Sequence, residues 1–386
     1  MITIQKTLEP LDTFCDFLGY HPEHTLFFDI ETTGFSPASS MVFLIGAIFF
    51  QEGNWQFTQY LAENQEEEQE LVRDFLSLAS HFDTLIHFNG ATFDIPYLAQ
   101  KADDYELVNP FPNMQSIDLY QKFRPLKKLL SLERMNQTSL EQFLRYQRED
   151  KLTGKHMVSL FQKYAASKEP GIRDLLLLHN HDDLLGMTQI LRMCTYLMLP
   201  DAVTEPIALH RYEPEDFAFI DTGAANAGFI DTDTDSDGPV NFNTIFALNI
   251  TLTTPLPHPL DCTIDDIYRL RVRDTNATLT FPAFRGELRY FFADYKNYYY
   301  LPLEDQAIHK SIGAYVDKEH RKAARPQTCY VRKTGLFLPQ PEAVFEPVFR
   351  KSYEDKQLYF EYKDDIKAQC KKLQLYAKYI LSRLLQ

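Results

Sequence analysis

Apolar runs and amphipathic stretches alternate along the first 200 residues of the chain. Apolar runs of strand length predict strands at residues 25–31, 41–50, 55–60, 85–88 and 116–119. Helical periodicity predicts helices at residues 66–82, 139–148, 157–166 and 174–191. The turn sequence Glu52-Gly53-Asn54 joins the second and third strands as a hairpin. Strands first and strand–helix alternation afterwards predict an α/β domain, a mixed sheet flanked by helices.

The second half of the chain has a β-rich pattern. Strands are predicted at residues 245–254, 268–273, 278–283, 288–293, 298–301, 329–332 and 358–362, and helices at 304–316 and 364–385. Residues 200–205 follow the last helix of the first half and predict a boundary there. We therefore expect two domains, residues 1–200 and residues 201–386, the second of α+β class.

Two carboxylates lie at the end of the first predicted strand of the chain, which begins at Thr25. Side chains at i and i+2 of a strand point to one face, so Asp29 and Glu31 lie side by side. Two like charges held together are costly unless a cation neutralises them, which favours a divalent metal site. The alternative is a strand that ends in an ordinary polar turn, since Thr-Thr-Gly follows.

A third carboxylate, Asp94, follows the strand at residues 85–88. Thr92 is the expected N-cap of the next helix, and Pro96 is tolerated in a first helical turn. Asp94 then lies at a helix start, where the macrodipole favours negative charge. It is either a metal ligand or an ordinary first-turn Asp.

A polar island interrupts the apolar helix at residues 174–191. His179 and Asp183 are four residues apart and therefore share a helix face. They are candidate site residues, or else an ordinary i,i+4 pair on an exposed stripe.

Three motifs together resemble a known family. They are Asp-x-Glu-Thr-Thr-Gly from Asp29, Phe-Asn-Gly-x-x-Phe-Asp-x-x-Tyr-Leu from Phe88, and His-Asn-x-x-Asp-Leu from His179. In this order they resemble the DEDD 3′–5′ exonucleases of the ribonuclease H-like superfamily, and most closely the predicted exonucleases of YprB-like bacterial proteins. The resemblance covers about residues 20–200 and implies a ribonuclease H-like fold.

The resemblance also implies roles for individual residues. Asp29, Glu31, Asp94 and Asp183 match the metal-binding acids, and His179 matches the residue that orients the attacking water and can accept its proton. The His branch of the family places its His five residues before the last Asp, whereas His179 has the four-residue spacing of the Tyr branch. Asp182 is the alternative metal-binding acid. The residues four and five positions before it are Leu178 and Leu177, which cannot accept a proton, so Asp183 is preferred.

Oxygen ligands favour two Mg²⁺ or Mn²⁺ ions, which suit phosphodiester hydrolysis. The resemblance thus implies a 3′–5′ exonuclease acting on single-stranded DNA or RNA. The alternatives are a structure-specific endonuclease or a non-catalytic nucleic-acid-binding or scaffold protein. Candidate nucleic-acid contacts within the motifs are Thr32, Thr33, Asn89 and Phe93. His181 is expected to be a surface or helix-capping His. Asp118 is expected to cap a helix.

Composition and charge limit the class of protein. The chain has 386 residues and a net charge of −15, but residues 309–386 carry 16 basic and 9 acidic side chains. This basic tail is either a surface for the nucleic-acid backbone or a solvated amphipathic helix. The sequence shows no signal peptide and no apolar span of membrane length, and its five Cys have no metal-ligand spacing. We therefore expect a cytoplasmic protein.

Two other segments invite a functional interpretation. Residues 294–310 are rich in Tyr and cations, so they form either a base-stacking surface or a strand with buried rings. Residues 233–238 imitate the start of a calcium-binding loop, but Thr244 stands where a Glu is required. An acidic surface loop is the preferred interpretation.

Overall fold

The computed structural model describes residues 1–11, 15–152, 154–212 and 244–385. The chain divides into two units, Met1–Leu197 and Met198–Gln386, called here the N-terminal unit and the C-terminal unit. The acidic segment 233–238 lies outside the described residues. No helix in the described part is long and apolar enough to cross a membrane.

The described part of the N-terminal unit contains six strands and nine short or long α-helices. The strands are β1 (Ile2–Leu8), β2 (Thr25–Thr32), β3 (Val42–Gln51), β4 (Asn54–Leu61), β5 (Thr84–His87) and β6 (Gln115–Asp118). The helices are α1 (Cys15–Leu18), α2 (Glu68–Ala79), α3 (Asp94–Asp104), α4 (Leu119–Phe123), α5 (Leu126–Leu129), α6 (Gln137–Phe143), α7 (Gly154–Ser167), α8 (Pro170–Ile190) and α9 (Cys194–Leu197).

The six strands form one sheet in the order β1-β4-β3-β2-β5-β6. β2 pairs antiparallel with β3 and parallel with β5, and β6 continues the parallel part of the sheet. The mixed sheet with flanking helices predicted from the sequence is therefore confirmed. β2 lies at the junction of the antiparallel and parallel parts, so both of its edges are hydrogen-bonded.

The centre of this sheet is buried on both faces. Leu26, Phe27 and Phe28 of β2 are each 0 % exposed, which explains why its sequence is a continuous apolar run rather than an alternating one. Phe28 packs on Phe75 of α2, with ring centroids 5.4 Å apart. Full burial of one such apolar side chain stabilises the fold by about 1.5–3 kcal/mol. Burial of a carboxylate instead costs free energy unless the group is paired, so an Asp in this strand requires a specific partner.

The described part of the C-terminal unit is β-rich, as predicted. Its strands are β7 (Val203–Tyr212), β8 (Ile245–Leu252), β9 (Leu260–Ile264), β10 (Tyr268–Arg273), β11 (Asn276–Pro282), β12 (Phe284–Phe291), β13 (Tyr298–Leu301), β14 (Gln306–His309), β15 (Lys322–Ala323), β16 (Tyr330–Gln340), β17 (Val348–Phe349) and β18 (Leu358–Glu361). Its helices are α10 (Lys310–Gly313) and α11 (Cys370–Ser382).

These strands form three sheets. A five-stranded sheet has the order β7-β8-β11-β10-β9, a four-stranded sheet the order β12-β16-β18-β17, and a three-stranded sheet the order β14-β13-β15. The helix α11 packs on the five-stranded sheet through Tyr376, whose ring lies 5.8 Å from that of Phe281 on β11.

The predicted helix at residues 304–316 is wrong. β13 and β14 form an antiparallel hairpin, and its turn holds Asp305 at a φ of 47°. The hydroxyl of Tyr300 donates to Asp305 Oδ1 at 2.6 Å and ties the turn to the strand. Asp tolerates this left-handed conformation better than most residues, so the turn forms where the pattern favoured a helix. Only the four-residue helix α10 remains of the prediction.

Candidate metal centre

Asp29 and Glu31 project from the end of β2, two residues apart. The side-chain amide of Asn180, on α8, donates to Asp29 Oδ2 at 2.9 Å. The pairing of β2 with β3 shifts register between Glu31 and Thr32, so the regular strand ends just beyond the two acids. Both carboxylates are only partly exposed. The strand therefore delivers two acids to one place and the helix holds the first of them.

Helix α8 brings His179 and Asp183 to the same place. His179 Nε2 lies 3.4 Å from Glu31 Oε1 and 3.4 Å from Asp183 Oδ2. One ligand atom from each of these three residues can be chosen so that all three lie within 4.8 Å of one another. Two carboxylate oxygens and an imidazole nitrogen at this separation can hold a divalent cation.

Asp94 is the first residue of α3 and is only 8 % exposed. It is not one of those three ligand residues, but its charge acts on both Asp29 and Glu31. Burial raises the pKa of Asp94 to about 7, against hydrogen bonds to backbone groups that lower it. The residue before it, Phe93, is the N-cap position and provides no side-chain cap. The prediction of Thr92 as N-cap is wrong: its hydroxyl donates instead to the Asn89 carbonyl at 3.1 Å.

The carboxylates raise one another's pKa. Burial raises the pKa of Asp29 well above its ordinary value, and the charges of Asp183 and Asp94 add to the effect. Burial likewise raises the pKa of Glu31, followed by the charges of Asp29, Asp183 and Asp94. All four predicted acids thus lie in one electrostatic neighbourhood. A bound cation would relieve the repulsion, because it favours the charged forms.

His179 is held from its other side by a residue that the sequence did not suggest. His179 Nδ1 lies 2.5 Å from Oδ2 of Asp150, and both side chains are buried. Asp182, next to Asp183, accepts from the backbone N–H groups of Glu149 and Asp150, each at 2.8 Å. Asp182 therefore fixes the loop that carries Asp150, and its carboxylate is used there rather than among the ligand atoms.

Arg148 is the second residue that the sequence did not suggest. Its Nη1 lies 2.7 Å from Asp183 Oδ1, and its Nη2 donates to Glu141 Oε1 at 2.7 Å. Burial would lower the pKa of Arg148, but the hydrogen bond to Glu141 and the charge of Asp183 outweigh it, and the pKa is raised. Arg148 thus stays charged and orients Asp183.

No sequence spacing predicts that Arg148 and Asp150 contact residues of α8. Both lie in the loop between α6 and α7, about 30 residues before the residues they hold. Asn180 is different, because it is the second residue of the His-Asn-x-x-Asp motif. That motif was the available signal for Asn180.

The candidate nucleic-acid contacts lie at the end of β2 and on the segments that follow β2 and β5. Thr32 donates to the Gly34 carbonyl at 2.9 Å, and Thr33 accepts from the Met41 N–H at 3.0 Å, so both hydroxyls support the local turn. Asn89 is exposed and has a φ of 63°. The half-buried ring of Phe93 lies 6.1 Å from that of Phe35, which is 92 % exposed.

Asp118 and His181 do not join the ligand atoms. Asp118 caps α4 by accepting from the N–H groups of Tyr120 and Gln121, which confirms the expected cap. Its Oδ2 is buried without a hydrogen-bond partner among the described residues. His181 contacts Asp182 at 3.2 Å and Lys6 at 2.6 Å, rather than the cluster of His179.

Comparisons with known proteins agree with this architecture. A sequence model described as RNase_H superfamily matches residues 26–195. The N-terminal unit, with its mixed six-stranded sheet and flanking helices, has a ribonuclease H-like fold. The match covers the segment that contains every residue of the candidate metal centre. No curated protein matches the chain.

Two solved structures show distant similarity. The family B DNA polymerase from Pyrobaculum calidifontis aligns at 16% identity and a TM-score of 0.35, over 47% of this chain and 25% of the polymerase. A structure described as the apo form of the nuclease aligns at 15% identity and a TM-score of 0.31, over 49% of this chain and 79% of that one. The chain therefore spans only a quarter of the polymerase, and neither similarity carries a functional conclusion.

Proposed function

We propose that the N-terminal unit is a metal-dependent 3′–5′ exonuclease that hydrolyses phosphodiester bonds of single-stranded DNA or RNA. The observation that carries the proposal is the convergence of Glu31, His179 and Asp183, whose ligand atoms lie within 4.8 Å of one another. These residues come from chain segments about 150 residues apart. The 3′–5′ direction and the closer relation to DEDD and YprB-like exonucleases rest on the three sequence motifs.

The donor set suits hard divalent cations. Asp29, Glu31, Asp94 and Asp183 would hold two Mg²⁺ or Mn²⁺ ions through oxygen atoms. Burial, and after it the repulsion between the carboxylates, raises the pKa values of Asp29 and Glu31, and a cation would offset both effects. Bound there, the ions would supply charge neutralisation at the reacting phosphate and lower the pKa of water.

In this proposal, His179 accepts a proton from the attacking water. If the Asp150 carboxylate accepts a hydrogen bond from Nδ1–H, the Nε2 lone pair faces the acids. Nε2 lies 3.4 Å from both Glu31 and Asp183, so water between these groups would be within its reach. Asn180 and Arg148 hold Asp29 and Asp183 in position by the hydrogen bonds described above.

An exposed aromatic ring beside a half-buried one supports a single-stranded substrate. Phe35 is 92 % exposed on the loop after β2, and its ring lies 6.1 Å from Phe93, one residue before Asp94. Exposed aromatic faces bind unpaired bases by stacking, at about 1–3 kcal/mol per base. A strand end stacked there would have its last phosphates near Asp94 and the other acids.

The test is a cleavage assay with end-labelled single-stranded DNA and RNA. Each is incubated with Mg²⁺ or Mn²⁺, with EDTA, and with the variant Asp29→Asn, which keeps the shape of the side chain but removes its charge. We expect a ladder that shortens from the 3′ end with either metal and no cleavage with EDTA or with Asp29→Asn. A 5′ label and a 3′ label on the same strand establish the direction.

Three results would contradict the proposal. Internal cuts on strands blocked at their 3′ ends would identify an endonuclease. Cleavage that survives both EDTA and Asp29→Asn would exclude this metal centre as the active site. Binding of nucleic acid with no cleavage under any metal would identify a non-catalytic binding protein.

A further inference from the structure

A cavity of about 670 Å³ lies within the C-terminal unit. One wall is the end of β12 and the turn after it, with Tyr290, Phe292 and Tyr295; the other is the segment around β17, with Arg350 and Tyr353. Cavities of this size enclose small ligands or parts of larger ones. None of these residues belongs to the candidate metal centre.

Aromatic side chains form much of the lining. The rings of Tyr290 and Phe292 lie 5.1 Å apart and nearly perpendicular, and the ring of Phe291 lies 5.4 Å from that of Tyr353. Tyr290, Phe292 and Tyr295 are half-buried, so part of each ring is open to the cavity. Such a lining favours a flat, aromatic ligand.

An arginine side chain, that of Arg350, also lines the cavity. Arg350 Nη1 donates to the Tyr353 carbonyl at 3.2 Å, and within the described residues Arg350 forms no ion pair. Among the described residues, Arg350 thus lines the cavity without a carboxylate partner, and an anion bound in the cavity would pair with its guanidinium.

We infer that this cavity binds an unpaired nucleotide of single-stranded nucleic acid, with the base among the aromatic rings and a phosphate at Arg350. The inference rests on the proposed function, because it assigns the cavity to the same class of polymer that the metal centre would cleave. A purely apolar ligand would bury Arg350 without a counter-ion, which is costly. Glu346 also lines the cavity and can accept a hydrogen bond from an N–H group of a base.

The test measures binding without cleavage. Tyr353→Ala and Arg350→Gln are each made in the Asp29→Asn protein, and fluorescence anisotropy follows labelled dT or rU dodecamers in EDTA. We expect Tyr353→Ala to weaken binding roughly tenfold, as loss of one stacked base does. We expect Arg350→Gln to weaken it and to reduce the slope of log affinity against log salt by about 0.7. The dT and rU arms separate DNA from RNA.

Matched controls lie in the same unit. Tyr315 is 91 % exposed and does not line the cavity, so Tyr315→Ala should bind as the parent does. Arg285 is exposed on β12, outside the lining, and Arg285→Gln is the control for charge. Thermal melting confirms that each variant is folded. Equal losses in cavity and control variants, or no loss in folded cavity variants, would overturn the inference.

A second readout separates the inference from the proposed function. Hydrolysis of the small chromogenic ester bis(p-nitrophenyl) phosphate, which carries no nucleobase, tests the metal centre alone, and the cavity variants in an otherwise native chain should hydrolyse it normally. If the ester and the labelled strands are not cleaved but the cavity variants still lose binding, the nuclease proposal fails and the cavity assignment stands. If cleavage occurs and the folded cavity variants bind as the parent does, the cavity assignment fails alone.

Discussion

Asp150 Oδ2 lies 2.5 Å from His179 Nδ1, on the side of the imidazole ring opposite the acidic cluster. The contact fixes the orientation of the ring, and it would place the ring proton on Nδ1 if the Asp150 carboxylate accepts the hydrogen bond. Nε2 is therefore the nitrogen that faces Glu31 and Asp183. A carboxylate that orients a histidine in this way can control its function without touching the substrate.

Replacement of Asp150 by Asn should lower activity while leaving the fold intact. The side-chain oxygen of Asn can still accept from the Leu152 N–H, as Asp150 Oδ1 does at 2.8 Å. The Asn amide would then donate to Nδ1 and move the ring proton to Nε2, where it blocks proton acceptance. We expect kcat on the chromogenic ester to fall roughly 10- to 100-fold with KM little changed.

The control for Asp150→Asn is Asp174→Asn, an exposed carboxylate on α8 paired with Arg173. It should leave kcat unchanged. If Asp150→Asn kept full activity at an unchanged melting temperature, the tautomer assigned to His179 would be wrong.

Replacement of His179 by Gln separates proton transfer from metal binding. If His179 accepts the proton, His179→Gln should lower kcat by roughly 10²- to 10⁴-fold and leave Mn²⁺ affinity within a few-fold of the parent. Titration calorimetry measures the affinity. The contrasting variant is Asp183→Asn, which should lose both. A comparable loss of Mn²⁺ affinity in His179→Gln would instead make His179 a metal ligand.

The sequence predicted the scaffold of the site better than its supports. The apolar run before Asp29 and the hairpin turn at Glu52-Gly53 are local signals, and the sheet has them where expected. The motifs named the residues that the structure brings together, Glu31, His179 and Asp183. Local patterns succeed here because strand alternation and helix spacing already determine which side chains share a face.

The supports depend on contacts between distant segments, which no local pattern encodes. Arg148 and Asp150 lie in an irregular loop, and the conformation of this loop is determined only when α8 packs beside it. The same limit explains the predicted helix at residues 304–316, where the turn at Asp305 accepts a hydrogen bond from the hydroxyl of Tyr330 on β16 and outweighs helical periodicity. Local preference is a weak guide where a tertiary contact decides the conformation.

The raised pKa of Asp94 predicts how stability depends on pH in metal-free protein. Its pKa is about 7, mainly because it is buried, against an ordinary value of 3.8. Between these values the native state holds a proton that the unfolded state has lost. The free energy of unfolding therefore falls as pH rises from about 4 through about 7, by on the order of 2–4 kcal/mol for this group.

Urea unfolding in EDTA, from about pH 5 to about pH 8, measures this effect as the difference between the parent and Asp94→Asn. The advantage of the parent over Asp94→Asn should shrink as pH rises. Saturating Mn²⁺ should restore the stability of the parent at high pH, because metal binding favours the ionised carboxylate. Parallel pH profiles for the two proteins in EDTA would contradict the assignment.

Gly46 permits α8 to approach the sheet at the level of the acids. It pairs with Asp29 on one side and with Gln59 on the other. A Cβ atom at Gly46 would lie 2.1 Å from Asn180 Oδ1 and 2.5 Å from Leu184 Cδ1, closer than atoms can pack. The amide of Asn180 holds Asp29, and Gln59 in turn donates to Asn180 Oδ1 at 2.9 Å. The absence of a side chain at Gly46 is therefore part of how Asp29 is positioned.

Gly46→Ala should consequently damage both stability and activity. The added methyl group must displace Asn180 and Leu184, and overpacking of this kind costs about 1–3 kcal/mol, measurable by urea unfolding. Because Asn180 would move away from Asp29, cleavage should fall by more than the lost stability explains under conditions where the variant remains folded. The control is Gly171→Ala, on α8, where the added Cβ would lie 4.0 Å from its nearest neighbour atom. This variant should be neutral or slightly stabilising. If Gly46→Ala matched that control in both measurements, the close approach of α8 to β3 would have no part in positioning Asp29.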